Sequence, residues 1–400
     1  MTGRPARSVV PAALVAVFAG CGGGGGGDDP KARATATPTP RAPAERPEPS
    51  DEVQITQLLT DRARALENGH KRDYLATATG AQRRRDRVDA RRAKRLRFSD
   101  VQLDVGPINI GPRRARARIM TSYTIDGVNS TFRLRRQLRV LKTKNGWRVS
   151  RLGGKRGLPP WEVGPFVQRR SKHFVVLAPP GSATGELLGA LETGYSAMDD
   201  KLARVRLRRR YLVVVAAGAK EGRALTRGIR GVSSLSALVD ANLVQTGPAK
   251  RTSRVEGLRL VVMRPSFESF DSYNRGLLVT HELTHAALAR QTSGRVPGWL
   301  TEGIALYVSG DRRYSTGADL RALSRPDSIG RLTGAAQTSA YEAASAAAFT
   351  IADQHGERAL LRLYRSFNDT RLRGRPGPRL VDRAMRRELG MRLSELDASV

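Results

Sequence analysis

The sequence predicts an α+β fold, in which a small part built from helices and an antiparallel sheet precedes a larger part with a mostly helical C-terminal half. The first sign is a change of hydrophobic period. Apolar residues recur every three or four positions from Val53 to Leu66, as in an amphipathic helix, and every second position from Ala115 to Ile125, as in a half-buried strand. The second sign is order. After Glu268 the pattern is almost entirely helical, and strands that precede helices favour α+β over α/β.

The first folded part is expected to cover residues 51–153. A second apolar cluster follows the first helix at Tyr74–Ala78, and Asn145-Gly146 between two strand patterns predicts a two-residue hairpin turn. Arg136 falls in register with the inward-facing Leu134 and Leu138. Two placements are open, inside the core of the sheet or outward at a β-bulge, and we favour the bulge.

The second folded part is expected to cover residues 165–400, after a linker rich in Gly and Pro from Gly153 to Phe166. Three apolar runs have the length of strands: "HFVVLAP", "YLVVVAAG" and "LRLVVMRPSF". A helix is predicted between the first two runs. Its apolar stripe consists of Leu187, Leu188, Leu191, Tyr195, Met198 and Leu202.

The charge of the chain is strongly positive. The 400 residues include 70 Lys+Arg against 37 Asp+Glu, a formal net charge of +33. Such an excess suits a polyanion partner such as nucleic acid, anionic lipid or an acidic wall polymer. The arginines are spread along the whole chain, however, and aromatic residues that could stack on bases are scarce. We therefore interpret the charge as a compositional bias and expect no specific nucleic-acid partner.

The N-terminal stretch has the composition of an export signal. Arg4 and Arg7 precede the apolar segment Val9–Gly20, whose 12 residues are too few to span a bilayer permanently. Cys21 is the single cysteine of the chain, so no disulfide can form within it. The following residues, up to Ser50, are dominated by Gly, Pro and Ala, which predicts a flexible tether over residues 21–50.

"FAGC", which ends at Cys21, resembles a bacterial lipobox, although Phe18 stands where leucine is usual. The resemblance implies that residues 1–20 are a lipoprotein signal peptide and that Cys21 becomes a lipid-modified N-terminus. The protein would then be anchored to the outer face of the bacterial cell membrane. The alternative is an ordinary secretory signal followed by a free thiol. Both interpretations place the protein outside the cytoplasm.

"HELTH" places His281 and His285 four residues apart within a predicted helix. Residues at this spacing lie one turn apart on the same face, so both imidazoles can reach one tetrahedral metal ion. Glu282 lies one position round the helix, where it can activate a water molecule without being a ligand. The pattern predicts a zinc site of a hydrolase. The alternative is a pair of surface or capping histidines.

A second helix is predicted just downstream, in "VPGWLTEGIALYV". Pro297 opens it, an apolar set covers one side, and Glu302 faces the opposite way. The segment Ser293–Gly298 can supply a turn between the two helices. An antiparallel return of the second helix would bring Glu302 to the metal as a third ligand.

"HELTH" followed by "PGWLTEGIALYV" resembles the glutamate zincins of the thermolysin-like clan, in particular the peptidase MA-like bacterial families. The resemblance extends over residues 165–400. It implies a bound Zn²⁺, a peptide or protein substrate, His281, His285 and Glu302 as ligands, and Glu282 as general base. It also implies that "LRLVVMRPSF" is the edge strand that pairs with the substrate backbone.

Two positions depart from the family pattern. Thermolysin has an acidic residue four positions after its glutamate ligand, whereas Leu306 stands at that place here. No second histidine is evident for the oxyanion. Tyr341 is our candidate for that role, with a core aromatic as the alternative. We interpret His355 as a residue of a helix C-terminus, and His70 and His173 as structural.

The order of elements in residues 51–153 resembles the nuclear-transport-factor-like cone, which implies a small-ligand or dimerisation module. For the whole chain, the sequence predicts a zinc metallopeptidase. The alternative is a non-catalytic envelope lipoprotein that uses the zincin fold as a scaffold or binds polyanions. The intact Glu282 favours the enzyme, because a scaffold would have no need of it.

We expect Cys21→Ser to move the protein from the membrane fraction to the medium, because the thiol that carries the lipid is lost. Immunoblots of the two fractions measure the change, and Thr37→Ser in the tether is the control. Unchanged membrane association of Cys21→Ser would contradict lipidation.

Overall fold

The computed structural model describes residues 49–227, 235–247, 251–312, 320, 323, 329, 332 and 334–397. The predicted signal peptide, Cys21 and the tether as far as residue 48 lie outside these residues. The described residues have the predicted α+β layout, with two sheets and a mostly helical C-terminal half. Within them, no helix has the length and apolar character needed to cross a bilayer.

The first part packs three helices on an antiparallel sheet with strand order β1-β2-β3-β4. Ser50 caps the first helix, and its hydroxyl accepts a hydrogen bond from the Val53 N–H. The predicted hairpin is confirmed, but its two-residue loop is Lys144-Asn145, one residue earlier than expected; Gly146 pairs with Thr143 and has a φ of +87°. The elements are α1 (Asp51–Glu67), α2 (Lys71–Ala76), α3 (Gly80–Ala93), β1 (Phe98–Ile110), β2 (Arg114–Ile125), β3 (Thr131–Thr143) and β4 (Gly146–Leu152).

The buried face of α3 is polar, which explains why hydrophobic period did not predict this helix. Asp86 is fully buried and accepts hydrogen bonds from the guanidinium of Arg62 at 2.7 Å and from the amide of Gln82 at 2.7 Å. Arg62 also donates to the hydroxyls of Tyr74 and Thr77, each at 2.9 Å. Charged groups are tolerated here because each has a partner of opposite charge or matching polarity.

Arg136 is buried, so the expected outward bulge is wrong. β2 and β3 pair without a register shift through Ile119↔Arg136, and the guanidinium lies on the inner face. It donates to both carboxylate oxygens of Glu162, at 2.5 and 2.8 Å, and to the carbonyl of Gly153 at 2.7 Å. Burial alone would raise the pKa of Glu162, but Arg136 and Arg85 bring this pKa below its ordinary value. Because Glu162 pairs with Arg136 through two hydrogen bonds, burial of the guanidinium no longer costs the free energy that led us to expect a bulge.

The predicted linker Gly153–Phe166 is part of the core. It contains a short helix, α4 (Pro160–Val163), whose Trp161 side chain is 1 % exposed. The indole stacks on Phe98 at 4.5 Å between ring centroids and meets the edge of Tyr123 at 4.9 Å. A tryptophan buries a large apolar area, so this contact joins the first sheet to the segment that leads into the second.

The second sheet has the order β5-β6-β7-β9-β8, with parallel pairing in the centre and antiparallel pairing at both edges. The three predicted strands are confirmed, but "LRLVVMRPSF" is not an edge strand. Its residues 258–263 form the end of β9, between β7 and β8, its last four residues are helical, and β8 is the edge. The strands are β5 (Val167–Arg170), β6 (Phe174–Ala178), β7 (Tyr211–Ala216), β8 (Ala237–Thr246) and β9 (Arg251–Met263).

The remaining helices share one large apolar core with this sheet. An alanine-rich face of the longest of them lies at the centre, with Ala344 and Ala347 fully buried. The helices are α5 (Thr184–Lys201), α6 (Ala219–Leu225), α7 (Arg264–Glu268), α8 (Ser272–Leu288), α9 (Gly298–Ser309), α10 (Ala335–His355), α11 (Glu357–Ser366), α12 (Pro378–Leu389) and α13 (Leu393–Asp397).

Asp89 on α3 is an acid in an unfavourable setting. Its side chain is 4 % exposed; burial and the nearby Glu162 carboxylate raise the pKa to about 7, and Arg85 only partly offsets this. A carboxyl whose pKa is higher in the folded state stabilises the fold below its unfolded pKa near 4. That contribution is lost as pH rises towards 7.

We therefore expect Asp89→Asn to have little effect at pH 4 and to stabilise the protein at pH 8, on the order of a few kcal/mol. Urea unfolding at both pH values measures the difference. Asp73→Asn, which changes an exposed carboxylate of α2, is the matched control. An equal effect of Asp89→Asn at the two pH values would contradict this account.

Candidate metal centre

Local sequence explains why α8 forms and which way it faces. Asp271 caps it, and its carboxylate accepts a hydrogen bond from the Asn274 N–H at 2.7 Å. Val279 and Leu283 are fully buried on the core side. His281 and His285 lie on the remaining stripe, half-buried and one turn apart, so both imidazoles are reachable from solvent.

The turn after α8 and the start of α9 are held by hydrogen bonds to the C-terminal helices. The Ser293 hydroxyl donates to the carbonyl of Phe367 at 3.1 Å. The hydroxyls of Thr292 and Tyr364 lie 2.6 Å apart. Pro297 precedes α9, and Gly310 ends it with a φ of +77°. The turn is therefore fixed, and with it the position of Glu302 in the second turn of α9.

Three side-chain atoms converge between the two helices. The Nε2 atoms of His281 and His285 lie 3.1 Å apart. The Oε2 atom of Glu302 lies 3.3 Å from the former and 3.5 Å from the latter. The structure thus brings together all three residues that the sequence predicted as ligands.

The size of this triangle fits a tetrahedral ion. Zinc binds imidazole nitrogen and carboxylate oxygen at about 2.0–2.1 Å, which places neighbouring ligand atoms of a tetrahedron roughly 3.3 Å apart. The three observed separations scatter around that value. Two imidazoles and one carboxylate are also the donor set of catalytic zinc sites, which keep a fourth position open.

The charges at the site favour a cation. Burial would lower the pKa of His285, but the charge and hydrogen bond of Glu302 raise it to about 9. Burial would raise the pKa of Glu302, but His285 and His281 bring it far below its ordinary value. The lowered pKa of Glu302 favours its negatively charged form, which stabilises positive charge between the two helices.

Glu282 contacts the edge of the second sheet. Its carboxylate accepts a hydrogen bond from the Val239 N–H on β8, and burial raises its pKa while His285 and His281 oppose the rise. Val239 faces Leu260 of β9 in the register, and the Met263 N–H donates to the Ser236 carbonyl three residues away. Because hydrogen-bonded pairs alternate along antiparallel strands, the N–H of Val239 points to the open side of β8.

The other candidate residues have the following positions. Tyr341 lies on α10, half-buried against the core that α10 shares with α9, and its part in catalysis stays a prediction. His355 is the last residue of α10, as expected. His173 bonds through Nδ1 to Glu192 at 2.6 Å and stacks on Tyr195, which agrees with a structural role, and His70 precedes α2.

Sequence reasoning missed Tyr364 on α11. Its ring is buried, and its hydroxyl is linked to Thr292 and Thr301. Burial and the nearby charge of Glu302 raise the pKa of Tyr364 to about 12. Leu306, which stands where thermolysin has an acidic residue, is 2 % exposed in the apolar core. Nothing local marks Tyr364, because it approaches Glu302 only through the packing of distant helices.

Known proteins offer little that resembles this chain. No family model and no curated protein matches the chain. Among solved structures, a Mycobacterium tuberculosis protein described as of unknown function is 13 % identical, with 26 % of this chain and 77 % of that chain covered and a TM-score of 0.21. A likeness of this size says nothing about the fold or the function of this chain. Any function therefore has to be inferred from the residues of the site.

We expect the purified protein to retain about one zinc ion per chain after dialysis, because three suitable ligands are already in place. His281→Ala, His285→Ala and Glu302→Ala should each weaken zinc binding by more than the 10–100-fold typical of changes beyond the ligands themselves. Metal analysis and competition with a chromogenic chelator measure this. His355→Ala is the matched control, and equal zinc retention in all four variants would rule out this site.

Proposed function

We propose that the protein is a zinc-dependent metallopeptidase of the glutamate-zincin type that acts outside the cytoplasm from a lipid anchor on the membrane. One observation carries the proposal. Three ligand atoms form a triangle of zinc size, and Glu282, adjacent in sequence to His281, lies beside it without joining it. A buried structural zinc site would close its fourth position, whereas these side chains are half-buried and open to solvent.

When bound, zinc supplies Lewis acidity and makes a water molecule acidic enough to deprotonate near neutral pH. Glu282 takes the proton of the attacking water and then delivers it to the leaving amine. The raised pKa of Glu282, which burial causes, suits a group that must accept a proton and give it back. Tyr341 is the proposed donor to the developing oxyanion.

The edge strand supports a peptide substrate. β8 is the outermost strand of the second sheet on this side, and its Val239 N–H reaches Glu282. An extended peptide that lies alongside β8 can pair with its outward-facing backbone groups. Such pairing would bring a backbone carbonyl of the peptide next to the general base. The substrate strand is thus proposed for β8, in place of the β9 segment expected from the sequence.

We expect Glu282→Gln to keep zinc and the fold but to lower peptide hydrolysis by about 10²–10⁴-fold, because the amide cannot accept the proton. His281→Ala should lose zinc and activity together. Casein and a quenched peptide library are suitable substrates, assayed with and without a chelator and alongside metal content. Glu268→Gln, an exposed glutamate of α7, is the matched control.

The outcomes separate the two functions. Equal cleavage by the wild type and Glu282→Gln would exclude Glu282 as the general base. If the wild type and Glu282→Gln both hold zinc and neither cleaves any substrate, the result favours the non-catalytic scaffold over the enzyme.

A further inference from the structure

The outer face of the first sheet carries a cluster of unpaired positive charge. Side chains alternate along the strands, so one set on β2 and β3, which is mostly apolar and includes Arg136, points to α1, and the alternate set points outward. Within the described residues, no carboxylate lies at ion-pair distance from the six exposed arginines of this outer face. We name this surface the arginine face; it consists of Arg114, Arg116, Arg118, Arg135, Arg139 and Arg151.

Three of these residues form a row of like charges. Arg116 on β2 is directly opposite Arg139 on β3, and Arg139 is directly opposite Arg151 on β4. Facing residues of neighbouring strands have Cβ atoms only about 5 Å apart, and like charges in such pairs destabilise the sheet. A compositional excess of arginine can place charge anywhere on a surface. A row of arginines across three strands without carboxylate partners favours the binding of an external anion.

The same end of the sheet is where the N-terminal segment joins the fold. The carboxylate of Asp51, the first residue of α1, accepts hydrogen bonds from Lys142 at 2.9 Å and from the indole of Trp147 at 2.8 Å. Lys142 is three residues beyond Arg139 on β3, or about 10 Å along the strand. The arginine row and the chain entry therefore lie towards the same end of the sheet.

We propose that the arginine face docks on anionic phospholipid headgroups at the outer surface of the membrane. Guanidinium groups bind phosphate with paired hydrogen bonds, and this face presents several of them side by side to a layer of headgroups.

The length of the N-terminal segment agrees with this partner. Between Cys21 and Pro49 lie 27 residues, 22–48, and if they form the tether that the sequence predicts, a chain of that length spans about 30 Å. A lipid on Cys21 would therefore keep the sheet within reach of the bilayer. Residues 22–48 contain four acidic and four basic residues, so they lack the negative charge to neutralise the arginine face themselves.

Two other partners fit less well. A second copy of the same face would bring arginines against arginines, which like-charge repulsion disfavours. Nucleic acid is commonly held by aromatic side chains that stack on bases, but the aromatic residues of these strands, Tyr123, Phe132 and Trp147, are buried on the opposite face.

The arginine row lies away from the contact between the two sheets. The second sheet meets β3 at the other end of the strand, where Arg133 pairs with Glu256 of β9 at 3.1 Å. Arg133 and Lys142 are separated by nine residues, or roughly 30 Å of strand. The arginine row and the chain entry therefore lie towards the end of β3 opposite the end that meets the proposed catalytic part.

The test compares two triple variants of the full chain in a Cys21→Ser background. The row variant is Arg116→Gln with Arg139→Gln and Arg151→Gln. The control removes three exposed arginines elsewhere, near and on α12, by Arg375→Gln, Arg379→Gln and Arg386→Gln. Both lose the same charge. The apolar Val9–Gly20 segment is common to all chains, so its contribution cancels. Circular dichroism checks that the row variant folds. We expect it to fold, because the substitutions remove repulsion between facing arginines.

Binding is measured by co-sedimentation with vesicles of equal parts phosphatidylglycerol and phosphatidylcholine, with phosphatidylcholine alone, and with duplex DNA. Each arginine near an anionic surface contributes roughly fivefold, so the row variant should bind anionic vesicles about 100-fold more weakly and the control less than about fivefold. The row variant should also show a shallower salt dependence. Equal losses in both variants would overturn the proposal, as would tighter binding of the wild type to DNA than to anionic vesicles.

Discussion

The geometry of the candidate metal centre depends on two close approaches of helices, each next to a predicted ligand. Thr280, which precedes His281, packs against Gly194 of α5, where an added Cβ would lie 2.7 Å from the threonine hydroxyl. Gly303, which follows Glu302, packs against α10, where an added Cβ would overlap the carbonyl oxygen of Ala344. These glycines let α8 and α9 sit deep in the core. Ligand atoms only 3.3 and 3.5 Å apart on two different helices require backbones fixed to this degree.

The residues around the site are organised by charge as well as by packing. Glu302 and the two histidines attract one another, and the chemistry of this donor set favours a cation at their centre. Glu282 lies beside that triangle, and the Val239 N–H on β8 is a partner for its carboxylate. In the proposed mechanism the general base stays near the ligands without becoming one, and a backbone partner on the edge strand suits that role.

The first sheet shows how a polar interior can be stable. Arg62 with Asp86 and Arg136 with Glu162 are two buried ion pairs, and hydrogen bonds to Gln82 and backbone carbonyls satisfy further polar groups. A partner removed from either pair would leave a charge without compensation. Glu162 belongs to the segment between the two sheets. The Arg136–Glu162 pair therefore joins the first sheet to the segment from which the second one starts.

The sequence by itself determined the features that depend on local spacing. These are α1, the hairpin around Asn145-Gly146, the central strands of the second sheet and the helix that carries His281 and His285. Their periods and turn residues act over a few positions, and the structure agrees with them. The downstream Glu302 was also predictable, because the turn that returns it is short.

Only the tertiary structure decided the rest. The polar face of α3, the burial of Arg136 and the place of Trp161 in the core depend on partners distant in sequence, as does the approach of Tyr364 to Glu302. The edge position of β8 depends on the order in which strands pair, which hydrophobic period does not record. Burial of a charged residue is tolerated only when a partner lies beside it. A sequence pattern does not show which distant residue the fold will bring to that place.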